Sequence, residues 1–412
     1  MSAQTSSKAQ PVAGCSTLTS AIEHAGETPS NQWRRRVVAT EPIALRTFTP
    51  SQAVFTRSAG SYHWTPEGRK LADFSSGVLV ANLGHNPVRW WHRVLRYMQL
   101  DSLPSLAKAG VNDYHPAVTL TAYNAVTEIE VMACERLLAN MHSQPGGQRM
   151  QQVLWAASGS EAVQKALWAC LAFDKNRKYF LATRGGFHGK KGLSGAVTGS
   201  ESDPDRDPRV RFVAFPKAEC IDVQRREQPI DLSSYRQELE SLANELSGQI
   251  ACLITEPYLG GGGSFHPQLE YLQLLESFCR QHGILFILDE IQANFGRTGP
   301  MYAYTHYGIQ PDIVCLGKGL GNGIPVSAAV GRSDIMASLR YGEGSDTWSA
   351  NPLGCAAVLA TLDEFESTDV LRQGQQLSRG IQAGLLKLKS TGLIQHVRGE
   401  GCVWGIECQS AG

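Results

Sequence analysis

Several features that define common classes of protein are missing from this 412-residue sequence. Its ten cysteines stand singly, without a C-x-x-C pair, which argues against both a disulfide framework and a zinc site. No apolar run approaches the roughly 20 residues that a membrane-spanning helix needs. The 38 basic and 38 acidic side chains balance, so no overall field attracts nucleic acid or an anionic membrane. We therefore expect a cytoplasmic enzyme without a metal, acting on small molecules.

The N-terminal segment also lacks the features of a targeting signal. Residues 1–29 are rich in Ser, Thr, Ala and Gln and contain no apolar stretch of the kind that signal peptides have. We predict a disordered or extended tail over residues 1–40. The one basic run, Arg34-Arg35-Arg36, is short, and a solvated turn or a subunit contact explains it better than phosphate binding.

Short apolar runs alternate with helical patterns through the middle of the chain. The strand candidates are residues 153–157, 179–182, 210–215, 250–255, 285–288 and 313–316. One helical pattern opens at Ser158 with capping-box spacing to Glu161, and another stops at Gly283, where glycine is the expected C-cap. This alternation predicts an α/β fold whose mostly parallel sheet has helices on both faces. Ligands of such folds bind at the carboxyl ends of the strands.

Two of these strand ends carry groups that could bind charged ligands, one an anion and the other a cation. Ser158-Gly159-Ser160 opens a helix, where free N–H groups and the helix dipole attract a phosphate, although an ordinary helix cap has the same sequence. Asp289 ends an apolar run and needs a positive or hydrogen-bonding partner if it is buried. A cap or an ion pair would satisfy the same requirement.

Two further strand ends carry a lysine and a glycine loop. Lys318 is the only lysine that directly ends an apolar run between two glycines, and an amine in such a desolvated pocket readily forms a Schiff base. Considered alone, a surface turn explains this lysine equally well. Glu256 precedes the glycines 260–263, a loop that suits a flat ligand or a plain connection. Together, an anion cradle, a carboxylate and a lysine at one sheet edge match what pyridoxal 5'-phosphate (PLP) requires.

From about residue 50 onward the chain resembles the class III (ω-amino acid type) aminotransferases of PLP fold type I. The matching motifs are Asp73-Phe74-Ser75-Ser76-Gly77, Leu83-Gly84-His85, Ser158-Gly159-Ser160-Glu161-Ala162, Gly186-Phe187-His188-Gly189, Thr255-Glu256-Pro257, Asp289-Glu290-Ile291-Gln292, Phe295-Gly296-Arg297-Thr298-Gly299, Pro311-Asp312-Ile313, Gly317-Lys318, Thr347 with Asn351-Pro352, and Val397-Arg398-Gly399-Glu400-Gly401. The resemblance implies a large PLP-binding domain over residues 91–335. It also implies a smaller α/β domain from residues 41–90 and 336–412, and a homodimer or higher homo-oligomer with shared active sites.

The resemblance further implies a role for each matching residue. Lys318 would form the Schiff base and then move the substrate proton, and Asp289 would keep the ring nitrogen protonated. Arg398 would bind a substrate carboxylate through a bidentate pair, although a structural ion pair is an alternative. The other cofactor-binding residues would be Gly159 and Ser160 at the phosphate, Phe187 stacked on the ring (or simply a core aromatic residue), Glu256, Gln292 at the phenolic oxygen, and Thr347 at the phosphate of the partner subunit's cofactor.

Two departures from the family pattern concern the substrate side. Many relatives that use 2-oxoglutarate read Glu-Pro-x-Gln-Gly-Glu-Gly-Gly, whereas this chain has Leu259 and Gly261 in place of the Gln and the second Glu. In relatives that acid pairs with the substrate-binding arginine, so without it we expect Arg398 to be free to swing toward solvent when a donor binds. The chain also ends soon after Arg398, where relatives continue, so we expect a shortened small domain.

The predicted reaction is ping-pong transfer of an amino group from an amine or ω-amino acid to a 2-oxo acid. Two other PLP reactions on the same fold remain as alternatives, namely decarboxylation-dependent transamination and an aminomutase shift. A catalytically silent interaction protein is a more distant alternative, which intact Lys318 and Asp289 disfavour. The sequence does not rank particular donors or acceptors.

Overall fold

The computed structural model describes residues 21–45, 49, 51–103, 110–203 and 206–409. It divides into two compact units, Met1–Ser75 with Gly84–Asn86, and Ser76–Leu83 with Pro87–Gly412. No helix among these described residues is long and apolar enough to cross a membrane. The domain borders that the resemblance implies, near residues 90 and 335, stay a prediction.

The first unit combines one helix with a small antiparallel sheet. Its elements are α1 (Thr28–Thr40), β1 (Arg57–Ala59), β2 (Tyr62–Trp64) and β3 (Lys70–Ala72), with the strands in the order β1-β2-β3. The helix lies within the range predicted as a disordered or extended tail, and residues 1–20 of that range are outside the described residues. A proline in its first turn favours the helix start, and Arg34 is buried in an ion pair with Glu27 at 2.6 Å.

A hydrogen-bonded histidine–aspartate network joins the strands of the first unit. The Nε2 atom of His85 lies 2.7 Å from the Oδ2 atom of Asp73, and the Nε2 atom of His63 lies 3.4 Å from the same oxygen. Asp73 Oδ1 accepts from the backbone N–H and the hydroxyl of Ser75. The motif residues Asp73 and His85 thus have a structural role in this unit.

The second unit contains a seven-stranded sheet, a two-stranded hairpin and most of the helices. The helices are α2 (Ser76–Leu79, one left-handed turn), α3 (Val88–Tyr97), α4 (Glu128–His142), α5 (Gly159–Phe173), α6 (Gly192–Ala196), α7 (Val223–Arg226), α8 (Ser233–Glu245), α9 (Leu269–His282), α10 (Ala303–Tyr307), α11 (Ser333–Met336), α12 (Pro352–Ser367) and α13 (Val370–Lys389). The strands are β4 (Gln152–Ala156), β5 (Tyr179–Thr183), β6 (Val210–Val213), β7 (Ile250–Thr255), β8 (Leu285–Asp289), β9 (Ile313–Leu316), β10 (Ser327–Gly331), β11 (Ile394–Glu400) and β12 (Val403–Cys408).

The large sheet is mostly parallel, as the sequence predicts. Its strand order is β4-β10-β9-β8-β7-β5-β6, and β10 is antiparallel to both of its neighbours. All other pairings in the sheet are parallel. Because β10 reverses direction between β4 and β9, β4 runs the same way as the parallel strands. The carboxyl ends of six strands therefore share one edge of the sheet.

Both faces of the sheet are covered by packed apolar side chains and helices. Every residue of β7, β8 and β9 is buried, and the two apolar clusters of the core lie on opposite faces of these strands. The helix α5 begins at the predicted cap, because the Ser158 hydroxyl accepts from Glu161 N at 3.3 Å. The helix α9 ends at Gly283, whose φ of 62° is left-handed. The predicted α/β class is confirmed.

Candidate active site

Lys318 and Asp289 follow the ends of two neighbouring strands at the shared edge. Asp289 is the last residue of β8 and is 3% exposed, while Lys318 follows β9 after Gly317. Burial lowers the pKa of the Lys318 amine, although the charges of Asp289 and Glu256 act in the opposite direction. The amine therefore loses its proton more readily than a surface lysine does, as a nucleophile requires.

Glycine is required before Lys318 because the chain is crowded there. A Cβ atom at Gly317 would lie 2.7 Å from the Ser327 hydroxyl and 3.2 Å from Ile291. A Cβ atom at Gly159, on the cradle side, would lie 2.9 Å from the same Ile291 side chain. Ile291 thus packs against both the lysine loop and the start of α5, which places the predicted phosphate cradle beside Lys318.

His188 holds the Asp289 carboxylate. The His188 Nδ1 atom lies 2.8 Å from Asp289 Oδ2, and Ile291 N donates to Asp289 Oδ1 at 3.1 Å. The histidine is itself buried, and its backbone N–H donates to the Thr198 hydroxyl. Sequence reasoning did not list His188 as a site residue, although it lies in the quoted glycine-flanked motif. The signal that could have identified His188 is that a buried carboxylate such as Asp289 needs a hydrogen-bonding partner.

The start of α5 forms a cradle suited to an anion. The first backbone N–H groups of this 15-residue helix have no partner within the helix, and its dipole favours a negative charge. A Cβ atom at Gly189 would lie 2.6 Å from the Ser160 hydroxyl and 2.5 Å from that of Ser194. A side chain at position 189 would therefore collide with both hydroxyls, and glycine lets them lie close to the backbone there.

Glu256 fixes the position of Phe187 and of the glycine loop. Its two carboxylate oxygens accept from Phe187 N at 2.9 Å and from Gly260 N at 3.2 Å. A Cβ atom at Gly261 would lie 3.2 Å from the Cβ atom of Phe187, so the glycine loop packs closely against this side chain. Burial, with the charge of Asp289, raises the pKa of Glu256 to about 7, although His188 acts in the opposite direction.

Gln292 lies against the same loop. Its Oε1 atom accepts from the Tyr258 hydroxyl at 2.8 Å, and a Cβ atom at Gly260 would overlap the Gln292 amide. Among the described residues the Gln292 Nε2 atom makes no hydrogen bond, so this N–H group remains available to a ligand oxygen. The contact of Gln292 to the phenolic oxygen of PLP stays a prediction.

Arg398 also reaches the glycine loop, but it is not free. Its Nε atom donates to the Gly263 carbonyl at 3.0 Å, and its guanidinium lies 4.3 Å from the centre of the Phe265 ring. Its Nη1 atom donates to the Glu407 carboxylate at 2.8 Å. Arg398 has a counter-ion after all, because β12 supplies the acid that Gly261 lacks. The swing toward solvent expected when a donor binds stays a prediction. Sequence reasoning missed Glu407, which only the register of the β11–β12 hairpin brings close.

Thr347 is separate from the residues described above. It lies on an exposed turn between β10 and α12, and its hydroxyl makes no hydrogen bond within the part of the chain that the structure describes. The structure therefore brings together Lys318, Asp289, Gly159, Ser160, Phe187, Glu256, Gln292 and Arg398. Thr347 is exposed, and its predicted role stays a prediction.

The residues at this edge fit PLP. The cradle offers backbone N–H groups and a hydroxyl to a phosphate, and glycine at positions 159 and 189 avoids the clashes that a Cβ atom would make there. The buried Asp289 carboxylate suits a protonated ring nitrogen. Lys318, with its lowered pKa, suits the aldehyde.

Comparison with known proteins agrees with this geometry. Residues 45–412 match the family model for class-III aminotransferases. The chain is 28% identical to the acetylornithine aminotransferase of Oceanobacillus iheyensis over 376 residues, which cover 88% of this chain and 82% of that protein. It is 30% identical to the 5-aminovalerate aminotransferase of Pseudomonas aeruginosa over 366 residues, which cover 87% and 79% of the two chains.

Solved structures give the same result for the fold. An amine transaminase from an uncultivated Pseudomonas species in its PLP-bound form has a TM-score of 0.71 at 27% identity, and the match covers 88% of this chain and 81% of that one. An (S)-enantioselective omega-transaminase from Thermomicrobium roseum has a TM-score of 0.76 at 23% identity, covering 92% and 84%. The chain therefore belongs to the class III aminotransferases and is a PLP-dependent transaminase of fold type I.

Proposed function

We propose that this transaminase moves an amino group from an ω-amino acid or amine to a 2-oxo acid, with Lys318 and Asp289 as its catalytic residues. The observation that carries the proposal is their position at the ends of adjacent strands, β9 and β8. Lys318 is a desolvated amine, and Asp289 is a buried carboxylate. When bound, PLP supplies an aldehyde for the amine and a ring that withdraws electrons.

Each residue at the cofactor end has a physical task in this proposal. The Lys318 amine would take the proton from the substrate carbon and return it to a neighbouring position. Asp289 holds a proton on the ring nitrogen, and His188 fixes the orientation of that carboxylate. The start of α5 with Ser160 binds the phosphate, while Glu256 holds Phe187 against the ring.

The substrate end is assigned to Arg398. A 2-oxo acid brings a carboxylate close to its reacting carbon, and a buried guanidinium binds such a group through two parallel hydrogen bonds. The relatives named above act on acetylornithine and 5-aminovalerate, which carry the reacting amine far from a carboxylate. We infer a donor of that kind. When it binds, Glu407 keeps Arg398 neutralised, so no uncompensated charge is buried.

The active unit is proposed to be a homodimer in which Thr347 contacts the phosphate of the partner subunit's cofactor. Two observations support this arrangement. Thr347 is exposed, and its hydroxyl has no partner among the described residues. The neighbouring Trp348 is also exposed at 57%, although large apolar side chains are usually covered in a functional assembly.

The test is an absorbance spectrum of the purified protein with PLP while amines and 2-oxo acids are added one at a time. We expect a donor to remove the band of the lysine-bound cofactor and a 2-oxo acid to restore it. Borohydride reduction followed by peptide mass analysis should place the cofactor on Lys318. Release of carbon dioxide would indicate decarboxylation, and a lysine-bound band that no donor changes would contradict the proposal.

A further inference from the structure

Lys165 is a buried lysine that the proposed chemistry does not use. It lies in α5 and is only 4% exposed, yet its amine has three partners. It donates to the Trp155 carbonyl at 2.6 Å, to the Asp346 carboxylate at 2.7 Å and to the Ser349 hydroxyl at 2.6 Å. Burying a charged amine is costly without such partners, so its position is tightly defined.

Two of these partners belong to the turn that carries Thr347. Asp346 Oδ1 accepts from the backbone N–H groups of Trp348 and Ser349 at 3.0 and 2.9 Å. Its other oxygen accepts from Lys165 and from the Ser349 hydroxyl. Asp346 and Ser349 flank Thr347 on either side, so the Lys165 amine fixes both ends of the exposed turn.

The third partner links the amine to the cofactor cradle. Trp155 is the fourth residue of β4, and the cradle begins two residues after that strand ends. Lys165 itself lies in the second turn of the helix whose first residues form the cradle. One amine thus joins the cradle of a subunit to the turn that, in the proposed dimer, serves the partner's cofactor.

We propose that Lys165 is a positioning residue that holds Thr347 in place for the phosphate of the cofactor in the partner subunit. The inference rests on the proposed role of Thr347. A lysine that served only folding would need no connection to this turn, whose Thr347 and Trp348 are exposed. Loss of Lys165 leaves the Thr347 hydroxyl present but no longer held in place.

A double-mutant cycle tests the proposal, with the dissociation constant for PLP as the readout. We expect Thr347→Ala to raise this constant about tenfold or more, because a hydrogen bond to a charged phosphate is lost. Lys165→Met should raise it by at least about threefold and by no more than Thr347→Ala does. In the Thr347→Ala background, Lys165→Met should add nothing, because it acts through the missing hydroxyl.

A matched control and a second variant protect the test from a folding defect. Arg332→Met removes the ion-pair partner of the buried Asp312, which lies at the opposite edge of the same sheet. This variant should leave PLP affinity unchanged. Asp346→Asn breaks the contact with Lys165 from the other side while its amide oxygen still accepts from the turn. It should weaken PLP binding as Lys165→Met does.

Mixed dimers show in which subunit Lys165 acts. In each, one chain carries Lys318→Ala, so only the other chain forms the lysine-bound cofactor band. With Lys165→Met on the chain that retains Lys318, the band should titrate with wild-type affinity. With Lys165→Met on the Lys318→Ala chain, the affinity of the intact site should fall, because its Thr347 comes from that chain.

The outcomes separate this inference from the proposed function. If Thr347→Ala leaves PLP affinity unchanged or the active chain is a monomer, the shared site fails and the inference with it. If Thr347→Ala weakens binding but Lys165→Met does not, only the role of Lys165 is overturned. Additive effects of the two substitutions, or equal affinity in the two mixed dimers, overturn it as well.

Discussion

The cofactor end and the substrate end of the site are built differently. At the cofactor end, Asp289 is 3% exposed and its partners are a buried histidine and a backbone N–H group at the sheet edge. At the substrate end, Arg398 is also buried, but its counter-ion Glu407 has a side chain that is 46% exposed. One end is fixed by the core, and the other by an acid that solvent reaches.

This difference matches the two tasks of a transaminase. The steps at the cofactor are the same for donor and acceptor, so a rigid arrangement serves both. The substrate end must accept one molecule with a carboxylate near the reacting carbon and another without it. An arginine whose counter-ion is partly solvated can exchange that partner at little cost, because a half-exposed ion pair contributes at most about 1 kcal/mol.

The largest expected effect is at the centre of the cofactor end. Lys318→Ala should lower turnover by more than about a hundredfold, since positioned acid–base groups contribute 10²–10⁴-fold. The fold should remain, and PLP should still bind without a covalent bond. Turnover and the absorbance spectrum measure this, with circular dichroism as the control for folding. Retention of more than about a hundredth of the wild-type rate would remove Lys318 from its role.

Asp289→Asn should reduce turnover by about a hundredfold, because a neutral amide cannot hold the proton of the ring nitrogen. The loss of PLP should be modest. His188→Asn, which removes only the partner of the carboxylate, should cost about tenfold. Steady-state kinetics at saturating PLP distinguish the two. Near-normal rates for Asp289→Asn would mean that another group faces the ring nitrogen.

A pH-dependent effect on stability is expected from the buried acids of the cofactor end. Burial raises the pKa of Glu256 to about 7 and that of Glu290 to about 8. At these two positions the folded chain therefore keeps protons that the unfolded chain releases near the usual pKa of a glutamate. The contribution of the two groups to stability is thus greatest at low pH and falls as pH rises toward 8. Each group should contribute a loss of about 1 kcal/mol between about pH 5.5 and 6.5.

Urea unfolding at several pH values checks this prediction. Glu256→Gln should show a shallower fall in the free energy of unfolding than the wild type over the same interval. Glu270→Gln, which removes an exposed acid from the first turn of α9, should keep the wild-type slope. Identical slopes for wild type and Glu256→Gln would mean that Glu256 stays ionised in the fold.

The smallest effect is expected from removing the charge of Glu407 at the substrate end. Glu407→Gln removes the charge that competes for Arg398, so the KM for the 2-oxo acid should fall about two- to fivefold. The half-reaction with a donor that lacks a carboxylate should slow slightly, because Arg398 then has no counter-ion. Glu270→Gln again serves as the control. An increased KM for the acceptor would show that Glu407 helps to orient Arg398 for binding.

The sequence predicted the buried strands well, for a physical reason, and it also drew attention to the residues at their ends. Strands such as β7 and β9 are continuous apolar runs, and a single Lys or Asp directly after such a run is conspicuous. The antiparallel strand β10 was not predicted, because Ser327–Gly331 consists mainly of small residues. Its insertion beside β4 does not change which edge carries the site.

The partners of the site residues were not predictable in the same way. His188 and Asp289 meet only through the tertiary fold, and nothing local to either residue identifies the other. Glu407 becomes the partner of Arg398 through the hairpin register, which includes an irregularity near His396. Lys165 looks like an ordinary polar helix residue in the sequence. Long-range hydrogen bonds of this kind required coordinates.

The contrast between the two ends is tested most directly by single-turnover rates of both half-reactions in two variants. The donor should be an amine without a carboxylate, and the acceptor a 2-oxo acid. Asp289→Asn should slow both half-reactions by similar factors. Arg398→Met should slow the acceptor half-reaction by about thirtyfold or more, because loss of a buried charged contact costs about 2–5 kcal/mol. The same variant should slow the donor half-reaction by less than about threefold. Equal damage to both half-reactions by Arg398→Met would contradict the account.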